Sequence, residues 1–237
     1  MAHKVWRDGY MSRRPMARKL RCGVLTTRRS CARCAAMELL SLTVFADFAL
    51  LSGAPRATAV RARREVPFDL YVDIKTAIVE VLRGGRPIGD LGAVMASATD
   101  ARAKRLWPAL IEGFTTWHAA HSAPWYEPPL LDVQVTPPGV SPLLRVRVNP
   151  EVGIACEGGP CFVKLWLRDA PLTAKRVAVT VALMREAIRP AVPAATYGVL
   201  DVRAGKLHTC AQTAVLDRTW QALRGDGAAY AALWGMA

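Results

Sequence analysis

Lys164, Arg168, Lys175 and Arg176 stand close enough in the sequence to hold an anion together. The last two fall in the first turn of a helix that Thr173 can cap, where positive side chains oppose the helix dipole. An anion at that end removes the conflict, because backbone N–H groups and the cations can converge on it. Phosphate, a nucleic-acid backbone or an acidic partner would serve. The plainer alternative is a solvated basic turn with screened charges. His118 and His121 lie three apart on a predicted helix, a spacing that can present two metal ligands on one face, with Glu127 a third beyond a proline. The alternative there is a helix end with two partly buried histidines. Cys22, Cys31 and Cys34 supply three zinc ligands, with His3 the local candidate for a fourth, although a single Cys-x-x-Cys is a low-specificity pattern. No GxGxxG or GxxxxGK[ST] loop is present to cradle a phosphate.

The elements that must position these groups are legible from hydrophobic period. Leu131, Val133 and Val135 alternate with polar residues until Pro137-Pro138-Gly139. Leu144, Val146 and Val148 alternate with Arg145 and Arg147 up to Asn149-Pro150. Cys161, Val163, Leu165 and Leu167 alternate with Phe162, Lys164, Trp166 and Arg168. Period-two runs bounded by Pro and Gly predict three strands in meander. Thr173 then starts a helix through Arg189 with Val177, Val181, Met184 and Ile188 as its apolar stripe. Earlier, an amphipathic helix is predicted over 68–83, a short one over 91–98, and a longer one capped by Asp100 that Pro108 should kink or split. Later come a strand at 196–203, a turn at Ala204-Gly205, a pairing segment at 206–209, a helix at 213–223 and a final turn capped by Asp226.

Helices, a three-stranded meander, a helix, a strand and another helix: this order resembles the core of the PD-(D/E)XK phosphodiesterase superfamily, from about Leu130 to the C-terminus, with the preceding helices as its flank. In that superfamily one strand ends with an Asp and the next carries [DE]-x-Lys. The resemblance implies Mg²⁺ held by those carboxylates, and a Lys that stabilises charge at the scissile phosphate. Lys164 falls where the superfamily's Lys would be, but Phe162 occupies the position of the acid two before it. Glu151, in the turn after the second strand, is the best match to the first acid, and Asp132 a less well placed substitute. What the resemblance implies is therefore a fold of that kind with a degenerate or absent nuclease site. Mg²⁺ enters only if a further acid, such as Glu80, Glu112 or Asp132, is recruited. A plainer reading of Lys164 is a side chain snorkelling from a half-exposed strand beside Phe162 and Trp166.

Charge divides the chain. Of 237 residues with net charge +13, residues 1–64 hold 14 Lys and Arg against 3 Asp and Glu, or +11, and residues 65–237 hold 18 against 16, or +2. A basic pI here describes the leading segment, which weakens the usual inference to nucleic-acid binding for the rest. Residues 1–64 lack sustained periodicity and read as a basic, largely disordered extension, with a short helix at 36–51. The apolar run Leu39–Leu51 follows a basic lead as in a signal peptide, but the lead is long and Glu38 and Asp47 border or interrupt the run, which is too short to span a bilayer. Six cysteines without a disulfide framework suggest a reducing, cytoplasmic setting, and richness in Ala, Arg, Gly and Pro suggests a GC-rich bacterial genome.

The expectation is a single α+β domain over 66–237, with a mixed sheet of about four to five strands flanked by helices. Three functions remain open: a non-catalytic protein of nuclease-like fold that binds nucleic acid or another polyanion; a structural or protein-interaction module using Trp and Pro residues near 107–129; and a Mg²⁺-dependent nuclease with a rearranged site. No other cofactor is expected, and the partner stays open, with nucleic acid or an acidic partner through the N-terminal segment as the candidates.

Overall fold

The computed structural model describes residues 38–62, 70–121, 123–210 and 212–236. The clusters expected before residue 38, including His3, Cys22, Cys31 and Cys34, lie outside the described residues. In chain order the elements are β1 (Glu38–Ser41), α1 (Leu42–Leu50), α2 (Ala54–Ala62), α3 (Val72–Leu82), a 3-10 turn at Ile88–Asp90, α4 (Leu91–Ala96) and α5 (Ala101–Ala120). There follow β2 (Leu131–Gln134), β3 (Leu144–Val148), β4 (Val152–Cys156), β5 (Gly159–Trp166), α6 (Ala174–Ile188), β6 (Thr196–Asp201), β7 (Lys206–Thr209) and α7 (Thr213–Met236). The chain is α+β, as expected.

Its strands form two mixed sheets rather than one. A three-stranded sheet has the order β1-β3-β2, with β1 parallel and β2 antiparallel to β3. A four-stranded sheet has the order β4-β5-β6-β7, in which only β5 and β6 run parallel. The expected meander thus breaks at Asn149-Pro150, where the chain leaves β3 and enters the second sheet; Pro150 has no N–H with which to continue a ladder. The strand that makes this possible, β4, lies where only a turn was expected. Its small residues hide it: a Cβ on Gly153 would lie 2.1 Å from the Tyr126 carbonyl oxygen. That space is taken by residues 124–126, which seal the edge of β4 through Tyr126 N–H to Gly153 O and Ala155 N–H to Pro124 O, both 2.9 Å.

α6 packs on both sheets, so its buried side chains exceed the expected stripe and include Val179, Ala182 and Leu183. One apolar cluster fills the space between α1, α6, α7 and the facing sides of the two sheets. A second lies between α3, α4, α5 and the far side of the four-stranded sheet. Every apolar side chain of β5 from Cys161 on is buried as a result, Phe162 and Trp166 in the first cluster, Cys161, Val163 and Leu165 in the second.

Residues 38–62 correct the boundary expected near residue 65. Ser41 caps α1 through its hydroxyl, β1 completes the three-stranded sheet, and Leu40, Leu42, Phe45 and Phe48 are at most 2% exposed. At roughly 1.5–3 kcal/mol for each such side chain, their burial is comparable to a whole domain's net stability. This segment is therefore core. Two helices also run on where breaks were expected. α5 continues through Pro108, which lies on the exposed face while Trp107 and Leu110 anchor the buried one. α7 continues past Asp226, whose carboxylate pairs with Arg56 at 2.5 Å instead of capping a new turn.

Candidate functional site: a basic cleft at the end of β5

β5, α6 and β6 form a parallel strand–helix–strand unit, and such units leave a crevice beyond the carboxyl ends of their strands. A cleft of about 420 Å³ opens there. Its walls are the first turn of α1, the end of β5 with Trp166 to Arg168, the first turns of α6, and the Asn149–Glu151 crossing between the sheets. Tyr71 just before α3, Lys75 of α3 and Arg102 of α5 complete the rim. Among the described residues five cations line it (Lys75, Arg102, Lys164, Arg168 and Arg176) against one carboxylate, Glu151.

Glu151 and Lys164, identified separately in the sequence, meet here. Lys164 donates to Glu151 Oε1 and to the Asn149 carbonyl at 3.1 Å, and Glu151 Oε2 accepts the Leu165 N–H at 3.0 Å. Each side chain is only 11% exposed. Lys164 is not the snorkelling residue of a half-exposed strand: as a whole residue it is 9% exposed, and its ammonium is held inside by Glu151 and the Asn149 carbonyl. Both oxygens of the carboxylate are engaged, and two of the three ammonium donors are used.

The other expected cations are arranged by a residue that sequence reasoning assigned to the tail. Asp47 of α1 pairs through Oδ2 with Arg168 at 2.7 Å and through Oδ1 with Arg176. Both guanidinium groups lie over the Trp166 ring, 5.5 and 4.7 Å from its centroid, a favourable cation–π arrangement. The indole N–H is held by Ala170 O at 2.9 Å. Thr173 caps α6 as expected, and the anion expected to relieve its basic first turn is supplied in part by the chain itself as Asp47. Lys175 is exposed and is not part of the cleft wall. The signal for Asp47 was present, as the one acid inside the apolar run 39–51, but its partners lie more than a hundred residues away.

The remaining candidates lie elsewhere. Asp132 is on the other sheet, 3.8 and 3.9 Å from Arg145 and Arg147. Glu80 pairs with Arg86 at 2.8 Å, and neither it nor Glu112 lines the cleft. His121 Nδ1 lies 2.8 Å from Trp117 O, and its ring stacks on Trp117, while His118 tilts against Phe114. Glu127 is held by Arg83 and by the Trp125 N–H, so the three do not form a metal site. Among the described residues no cluster of three or more His, Cys, Asp or Glu side chains is placed to hold a metal ion. Trp107 and Trp117, expected on a contact surface, are core at 3% and 2% exposure.

In comparisons with known proteins, no family model matches the chain and no curated protein is similar to it in sequence. Among the described residues no helix is long and apolar enough to cross a membrane.

Proposed function

We propose that the chain is a non-catalytic binding protein of nuclease-like fold, and that the cleft at the end of β5 holds an anionic segment of a nucleic acid or another polyanion. One observation carries this reading: five cations line a cleft beside the first turn of a helix whose N-terminus holds no acidic side chain. Fixed cations and helix N–H groups attract phosphate in this way. Asp47 tunes the site by holding Arg168 and Arg176 ready and lowering their net charge. The nuclease alternative is less well supported, since among the described residues Glu151 is the one carboxylate of the lining and both its oxygens already have partners; a hydrated divalent cation needs more donors.

The test uses the chain from Ala35 onward, which lacks most of the basic leading residues, and measures fluorescence anisotropy of labelled single- and double-stranded DNA, RNA and heparin across a salt series. Binding should weaken in Lys75→Ala and Arg102→Ala, each lowering the salt slope by about 1. Asp47→Asn should strengthen binding by removing the resident carboxylate. Unchanged affinity in all three variants, or binding only by chains that keep residues 1–34, sinks the cleft reading. Cleavage in Mg²⁺ or Mn²⁺ that Glu151→Ala and Lys164→Ala both abolish in folded protein would favour the enzyme instead.

A further inference from the structure

Away from the cleft, the β4–β5 hairpin brings two of the six cysteines together at its turn. Its register places Cys156 opposite Gly159 and Ile154 opposite Cys161. Residues two apart on a strand share a face, so Cys156 and Cys161 are diagonal neighbours on one face of adjacent strands. Gly159, directly across from Cys156, has no side chain to stand between the thiols. Cys156 is near enough to Cys161 to add, after burial, to the upward push on the Cys161 thiol. Cys156 is exposed and Cys161 is 5% exposed, and both are free thiols.

We propose that Cys156 and Cys161 form a redox-active dithiol that closes to a disulfide by exchange with a low-molecular-weight disulfide such as oxidised glutathione. Cys156 reacts first because it is the accessible thiol; burial pushes the Cys161 thiol up, which disfavours its thiolate. The Cys156 thiolate attacks one sulfur of oxidised glutathione, forming a mixed disulfide and releasing one glutathione thiolate. Cys161 then loses its proton and attacks the Cys156 sulfur, expelling the second glutathione. Two protein thiols are oxidised, one glutathione disulfide is reduced, and the two protons end on the two glutathione thiols. Diagonal partners stand about 7–8 Å apart at Cα, and a disulfide needs less than about 7 Å, so closure draws the strand ends together. The turn can yield, because Glu157 is followed by Gly158 and by Gly159 at φ 124°. This inference is independent of the anion-binding reading.

The experiment treats the full-length chain with oxidised glutathione, blocks remaining thiols, and maps peptides without reduction. The tryptic segment between Arg147 and Lys164 carries both cysteines and no other. The expected product is that segment lacking two hydrogen atoms, resistant to alkylation and restored by dithiothreitol. Cys161→Ser should instead accumulate the glutathione adduct at Cys156, and Cys156→Ser should leave Cys161 reduced. The proposal is overturned if the wild-type segment stops at the glutathione adduct, stays fully reduced, or links Cys156 or Cys161 to another cysteine.

Discussion

Lys164 and Glu151 face each other with about a tenth of each side chain exposed, so the stability of each depends on the other. Glu151→Gln leaves a largely buried ammonium without its counter-charge and with the Asn149 carbonyl as its remaining charge-stabilising partner, a loss of about 3–5 kcal/mol for a buried pair. Lys164→Met leaves Glu151 with the Leu165 N–H alone. Combining the two should recover most of the loss, which urea unfolding of the four chains would show. A single-variant cost below about 1 kcal/mol would mean that the pair behaves as a surface bridge wetted through the cleft. Tyr197 is the opposite case. Its hydroxyl is buried with no hydrogen-bond partner among the described residues, and burial raises its pKa from 10.0 to about 12. Because the folded state resists ionisation, its contribution is complete below the unfolded value near 10 and is lost as pH rises through about 12. Tyr197→Phe should therefore raise stability at neutral pH by about 1 kcal/mol and flatten the alkaline decline. An unchanged pH profile in unfolding experiments would count against this.

Among elements, the contact of α5 with the end of β6 is set by one missing side chain. A Cβ on Gly113 would lie 2.2 Å from the carbonyl oxygens of both Val202 and Arg203. Those are backbone atoms at a hairpin turn and cannot rotate away. Gly113→Ala should therefore destabilise despite its gain in helix propensity, by about 1–3 kcal/mol or more, whereas the same change at the open Gly92 of α4 should be mildly stabilising. Thermal unfolding of both variants decides it; a stabilised Gly113→Ala would mean that α5 does not approach the turn this closely. The close approach also explains why α5 remains one helix despite Pro108, since its buried face is held along most of its length.

For the whole molecule, the charge partition follows the revised boundary. Residues 1–37 carry 10 Lys and Arg against 1 Asp or Glu, and residues 38–237 carry 22 against 18. A chain beginning at Ala35 should unfold cooperatively with a midpoint close to that of the full chain, whereas one beginning at Glu65 should lose β1, α1 and the cooperative transition. If the shorter chain melted like the longer, the first cluster would not need Phe45 and Phe48. The sequence by itself determined the local elements: the period-two runs of β2, β3 and β5, the caps Asp100 and Thr173, and the β6–β7 hairpin are short-range patterns of side-chain type. It also marked Glu151 and Lys164 as residues to watch. Only the tertiary structure decided that the strands divide into two sheets, that α6 is buried between them, and that a run of residues read as tail is core. Only it could join Asp47 to Arg168 and Arg176, because such pairings are set by how packed layers meet, and no periodicity along the chain encodes which distant charge will lie across a helix.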